Sequence, residues 1–142
     1  MQPLSREHHQ GLLLSWKIRT GISKGISTER IKKYLDWYFP AHLAPHFQAE
    51  ENYIFPILGN DHELVKKAIS QHRRLERLFN STTEVKKSVS LIEEELENHI
   101  RFEERVLFNE IQIVATEEQM KIVADLHPET KFDENTSDLF WE

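Results

Sequence analysis

HFQAEENYIF, residues 46–55, is written a second time as HIRFEERVLF, residues 99–108. In each copy a His is followed four residues on by Glu, then at once by a second Glu, and the segment closes on Phe. Residues four apart on an α-helix stand one turn from each other on the same side. His46 and Glu50 therefore share a face, as do His99 and Glu103, and in both copies that face is otherwise largely apolar. Around the second copy Val85, Val89, Ile92, Leu96, His99, Glu103, Val106 and Glu110 step by three and four along one stripe. Around the first copy Leu35, Phe39, His42, His46, Glu50 and Tyr53 do likewise. A carboxylate on a core-facing stripe is costly unless it is paired, hydrogen-bonded or bound to metal.

Spacing alone is weak evidence, because His72/Glu76 has it too and such pairs also help an exposed helix. The doubled context carries more. Tyr53-Ile54 aligns with Val106-Leu107, Phe47 with Ile100, and Leu58 with Ile111. Ahead of each copy lies a helix whose His has Leu three residues later, His9/Leu12 and His72/Leu75. The chain reads as two helical hairpins, each giving one His and then one His-Glu pair. His9, His46, His72 and His99 with Glu50 and Glu103, turned inward from four helices, make a ligand cage for two metal ions. The Glu7-His8-His9 run leaves a choice, since His8 aligns with Leu4 and Leu12, and His9 with Leu12, Leu13 and Trp16. The match to His72/Leu75 favours His9 and leaves His8 at the surface or behind a ligand. His42 is expected to pack nearby without binding. Glu51, Glu76 and Glu104 read as solvated helix charges, any one of which can instead complete a metal or orient an imidazole. Tyr53 and Trp16 are expected near the centre of the core.

The rest of the chain fits a helical protein. Only four Gly and five Pro interrupt a sequence rich in Leu, Glu, Lys, Arg and Ile. The first helix is expected from Ser5 to Thr20, stopped by the glycines of TGISKG. The second runs from Ser27 or Thr28 to Leu58, with a kink or short break at FPAHLAPHF, where Pro40 and Pro45 each remove a donor. The third spans Asp61 to Phe79, with Asn60 and Glu63 spaced as a cap pair. The fourth follows the capping box Ser81-x-x-Glu84 and reaches Ala115. Thr116-x-x-Gln119 caps a fifth, shorter helix ending at His127-Pro128, after which Leu139, Phe140 and Trp141 dock on the bundle. The expected architecture is all-α, an up-down four-helix bundle over about 4–115 with a short C-terminal helix and docked tail over 116–142, all in one domain of 142 residues.

Composition removes several function classes. A formal net charge of −6 gives no basic face for nucleic acid, and KIRTGISK and HRRLER read as solvated surface. The absence of Cys excludes disulfides, thiolate zinc sites and thiol catalysis. MQPLSREHHQ has no signal-peptide character and no apolar run approaches membrane-spanning length, so a cytoplasmic location away from membranes is expected. There is no Gly-rich phosphate loop, G-x-S-x-G elbow or HExxH motif. No His has Glu three residues before it, which disfavours a ferritin-like cage.

The pattern resembles the hemerythrin-like HHE cation-binding domain, from about Leu4 to Ile113. The resemblance implies a four-helix bundle holding two non-haem iron ions, with His9, His46, His72 and His99 as terminal ligands and Glu50 and Glu103 bridging. It implies O2, NO or a similar small ligand as partner, alongside an unidentified redox partner, in a monomer or homodimer. Imidazole with carboxylate suits iron, and is less natural for structural zinc. Two features depart from the oxygen-carrying hemerythrins. Those have a second His one turn along the third helix, where this chain has Glu76, with Ala68 one turn earlier. They also end in His-x-x-x-x-Asp, where this chain has His-x-x-x-Glu. Both departures bring it toward four-histidine members similar to the bacterial iron–sulfur repair and nitric-oxide-responsive proteins. Reversible binding or sensing of O2 or NO is the leading expectation. A di-iron enzyme or iron donor, reducing NO or peroxide or repairing clusters, is the alternative, and a structural bundle with a vestigial or zinc-filled site is the third.

Overall fold

In a computed structural model describing residues 5–126 and 133–142, every regular element among the described residues is helical. α1 is Ser5–Ser23, α2 covers 28–58, α3 is Glu63–Phe79, α4 covers 85–114 and α5 is Glu117–Leu126. The first four make the up-down bundle. α1 and α3 both lie along α4, and the first part of α2 also packs on α4.

The ends follow local chemistry. α1 runs through Gly21 and stops at Gly25, whose φ of 74° suits glycine; Ile26 N–H bonds Gly21 O and Gly25 N–H bonds Ile22 O, closing a Schellman turn. Ser27 caps α2 by accepting from Arg30 N–H, and Gly59, at φ 106°, ends it. α3 is capped by His62, whose Nδ1 accepts from Leu64 N–H, in place of the expected Asn60/Glu63 pair. The box expected at Ser81 does not form: Ser81 Oγ donates to Thr83 O, and Glu84 takes a left-handed conformation at φ 49° before α4 begins at Val85. Thr116 and Gln119 do form a reciprocal box, each side chain accepting from the other's backbone N–H. The expected end of α5 at His127-Pro128 lies outside the described residues.

α2 and α4 are not uniform α-helices. Three wide π turns, Phe39–Leu43, Glu50–Ile54 and Glu103–Leu107, are closed by i→i−5 bonds from Ala44, Phe55 and Phe108 N–H to Phe39, Glu50 and Glu103 O. The first absorbs Pro40, so the kink expected there is a wide turn inside an unbroken helical run. The other two begin at Glu50 and Glu103, at the same place in each copy of the repeat. Pro56 follows one and Asn109 the other, so proline is not their common cause.

Each π turn spends one more residue than an α turn, so the buried face slips by one position beyond it. Tyr53 and Val106, three residues after the two glutamates, are 54% and 42% exposed, while Ile54, Phe55, Leu107 and Phe108 are buried. Tyr53 is therefore not near the centre, and the single stripe read through Val106 and Glu110 is corrected to Leu107, Phe108 and Ile111.

Two apolar clusters fill the bundle. One gathers Leu14, Ile18, Leu35, Phe47, Leu75, Leu96, Ile100 and Phe140, and the other Ile54, Phe55, Val65, Ala68, Leu107, Phe108, Ile111 and Val123. On α2, α3 and α4 the boundary between them falls at His46 and Glu50, His72, and His99 and Glu103. The tail closes the first cluster. Phe140 lies against Gly21, where an added Cβ would sit 2.8 Å from its ring, and Arg30 grips Asp138 through two bonds of 2.9 and 2.7 Å. Lys17, read from sequence as solvated, is buried; its Nζ donates to Tyr34 OH at 3.1 Å and Glu134 Oε2 at 2.6 Å and sits 4.2 Å from the Trp141 ring centre. Phe140→Ala is expected to lower stability by about 3 kcal/mol in urea unfolding, the low end for deleting a buried Phe, since a tail can move to fill space.

Candidate metal centre

Five of the six residues singled out by the repeat meet in the layer between the two apolar clusters. His46, Glu50, His72, His99 and Glu103 are all buried there. The sixth position is corrected. His9 is exposed on α1, and its neighbour His8, only 2% exposed, faces the layer. The buried side of α1 runs His8, Gly11, Leu14, Ser15, Ile18 and Gly21, and Trp16 is 46% exposed rather than central. Gly11 was the available signal: a Cβ there would come within 2.5 Å of Ile100 Cδ1, so this face of α1 lies hard against α4. Matching Leu12 to Leu75 led away from it, because Leu12 is only partly buried at the edge of that face.

The inward atoms converge. His72 Nε2 is 3.1 Å and His46 Nε2 3.4 Å from Glu50 Oε1, while His99 Nε2 is 2.7 Å from Glu103 Oε1. His8 Nε2 stands 3.8 Å from both Glu50 Oε2 and Glu103 Oε1. These atoms form two overlapping quartets, His8/His46/Glu50/Glu103 and His72/His99/Glu50/Glu103, and within each the donor atoms lie within 4.8 Å of one another. Despite that closeness, the Nε2 atoms of His8, His72 and His99 and all four carboxylate oxygens of Glu50 and Glu103 are buried without a hydrogen-bond partner among the described residues. Buried nitrogens and oxygens that crowd together without well-formed hydrogen bonds between them are arranged around a shared region.

The outward imidazole atoms are occupied. His8 Nδ1 meets Glu104 Oε1 at 3.2 Å, His72 Nδ1 meets Glu51 Oε2 at 2.7 Å, and His99 Nδ1 meets Gln71 Oε1 at 2.6 Å. A carboxylate can only accept, so the Nδ1 of His8 and of His72 carries the proton and Nε2 is left to face the layer. Glu51 is itself bonded by Arg73. Of the two readings the sequence left for these glutamates, Glu51 and Glu104 take the one in which a carboxylate bonds an imidazole, whereas Glu76 pairs with Arg73 near the surface. Gln71 was not singled out by sequence, and an uncharged residue outside the repeat gave no signal. His42 packs against Trp37 and Tyr38 and belongs to neither quartet.

The buried charges of the layer compensate one another. Burial works against the imidazolium of His8, but Glu104 and Glu50 outweigh it and push its pKa up to about 9. His72 reaches about 9 in the same way, burial being overcome by Glu50 and Glu51. Burial opposes ionisation of Glu50, yet His46 foremost holds its carboxyl well below the usual range. Burial, and then the charge of Glu50, raise Glu103. Protons therefore stand where a cation would put positive charge. Once those protons are displaced, four buried imidazoles and two carboxylates directed at one layer fit metal ions.

The model of the hemerythrin HHE cation-binding domain matches residues 4–111. The chain belongs to the hemerythrin HHE family. No curated protein and no solved structure matches it significantly. The HHE match ends within α4, so α5 and the docked tail lie beyond it. Among the described residues no helix is long and apolar enough to cross a membrane. In this HHE domain it is His8, and not His9, that faces the buried His/Glu layer. His8→Ala is expected to lower the metal bound per chain and His9→Ala to leave it unchanged, as measured by elemental analysis of the purified proteins.

Proposed function

We propose that the chain is a di-iron protein that binds or senses O2 or NO, with His8, His46, His72 and His99 as terminal ligands and Glu50 and Glu103 bridging. The observation that carries this reading is the sharing of both carboxylates by the two donor quartets. Two ions beside each other need bridging anions between them, and two buried carboxylates common to both sets supply these. When bound, such a centre supplies reversible electron exchange with a small diatomic ligand. The protein's part is to hold the donors apart from water: Phe47 stacks on His72 at 3.8 Å between ring centres, and Ile54, Phe55, Leu107 and Phe108 close one side of the layer. The family match and the thiolate-free donor set support iron over structural zinc.

A second reading, an iron enzyme or iron donor, is favoured by the donor count. Four imidazoles and two carboxylates leave positions on two ions for exogenous ligands. Anaerobic mixing of the reduced protein with NO separates the two: turnover to N2O supports the enzyme, and a stable stoichiometric nitrosyl supports the binding protein.

The proposal is tested by metal content with anaerobic and aerobic absorption spectra. Two irons per chain and a reversible charge-transfer band on O2 exposure are expected; zinc, or no metal, would sink it. Glu103→Ala is expected to abolish the paired-metal signal. Because His8 and His72 hold protons up to pH about 9 in the metal-free protein, an entering ion displaces them. Anaerobic ferrous loading at pH 7 should therefore release protons, and apparent affinity should fall as pH is lowered from 9. Calorimetry in buffers of different ionisation enthalpy measures both.

A further inference from the structure

The repeat carries two residues that the proposed ligand set does not use, the second Glu and the closing Phe. Both copies apply them to the same task, and both apply them across the molecule. Glu51, from the copy on α2, bonds the Nδ1 of His72 on α3, and Phe55 from that copy stacks on the His72 ring at 5.5 Å between centres. Glu104, from the copy on α4, bonds the Nδ1 of His8 on α1, and Phe108 stacks on the His8 ring at 5.4 Å, within 3° of parallel. In each case the gripped histidine belongs to the other hairpin. The π turns matter here, because each begins at Glu50 or Glu103 and ends just before the Phe, so the Glu that bonds one ring lies within the wide turn and the Phe that stacks on that ring directly follows it.

We infer that Glu51 and Glu104, seconded by Phe55 and Phe108, are crossed positioning residues: each copy of the repeat sets the imidazole that the opposite hairpin contributes to the centre. This rests on the proposed metal centre for its consequence, but the crossing itself is a property of the metal-free chain. The two grips are unequal. Glu51 is braced by Arg73 and its side chain is 17% exposed, whereas the side chain of Glu104 is 39% exposed and its bond to His8 is the longer. His99 supplies an internal comparison, since its Nδ1 is held by the uncharged amide oxygen of Gln71. A carboxamide therefore suffices to hold an imidazole in this layer.

The inference is tested by anaerobic competition titration with Co(II) as the probe. Glu51→Ala and Glu104→Ala are each expected to weaken binding by about 10–100-fold, the range for removing a group that orients a metal-bound histidine. Glu104→Gln should keep most of the affinity, as Gln71 does for His99, while Glu51→Gln should lose more because it also releases Arg73. The crossing is read from pairs. In a His72→Ala background Glu51→Ala should cost less than about threefold further, and in a His8→Ala background the same should hold for Glu104→Ala. A full loss persisting in the background that lacks its own histidine would overturn the inference, and so would coupling of Glu51 to His8. Should the wild-type chain take up no metal, the metal proposal falls and imidazole 15N shifts of the metal-free protein decide the crossing. Glu51→Gln must then move the His72 Nδ1 signal and spare His8, and Glu104→Gln the reverse; any other pattern overturns it.

Discussion

Two carboxylates, Glu50 and Glu103, lie fully buried at the boundary between two apolar clusters. Taking an ionised carboxylate out of water costs on the order of several kcal/mol even after the surroundings relax. A helical chain of this size, whose net stability is itself only about 5–15 kcal/mol, cannot carry two of them unanswered. The surrounding architecture supplies the answer. Imidazoles from four helices surround them, those of His8 and His72 held protonated by neighbouring carboxylates; the outer nitrogens of His8, His72 and His99 are held by Glu104, Glu51 and Gln71, and apolar rings close around them.

The same layer ties the bundle together. Glu50 on α2 reaches His72 on α3 and lies near His8 on α1, while Glu103 on α4 lies near His8 as well as His99 on its own helix. The tail does the complementary work at one apolar end. Phe140 fills the space beside Gly21, and Glu134 joins the tail to Lys17 of α1 and Tyr34 of α2 through partly buried polar contacts. Apolar packing and polar contact are thus used at separate levels of one stack of helices, and every level involves residues far apart in sequence.

Much of this was legible in the chain. Helix order, the main boundaries and five of the six converging residues follow from periodicity, caps and the doubled His-Glu segment. What was lost was lost to geometry that sequence periodicity does not encode. A 3.6-residue stripe carries no sign of a π turn, so Tyr53 and Val106 were placed inside and prove exposed. The choice between His8 and His9 turned on whether leucine or glycine marks the contact face; Gly11, by its smallness, was the truer mark. Ser81 and Glu84 have the right spacing for a box, but a left-handed Glu84 sends the backbone elsewhere. Gln71 acts through space alone, on a residue 28 positions away.

Each wide turn also uncouples two halves of one rod. At about 100° per residue, a single extra residue rotates everything after it by more than a quarter of a revolution. An unbroken α-helix through residues 46–55 that aimed His46 and Glu50 inward would turn Phe55 away, and one that aimed Phe55 inward would swing the pair out. The inserted residue lets the polar segment and the apolar segment be aimed separately. Donor placement and hydrophobic sealing are then independent choices, made in the same ten residues and made identically twice.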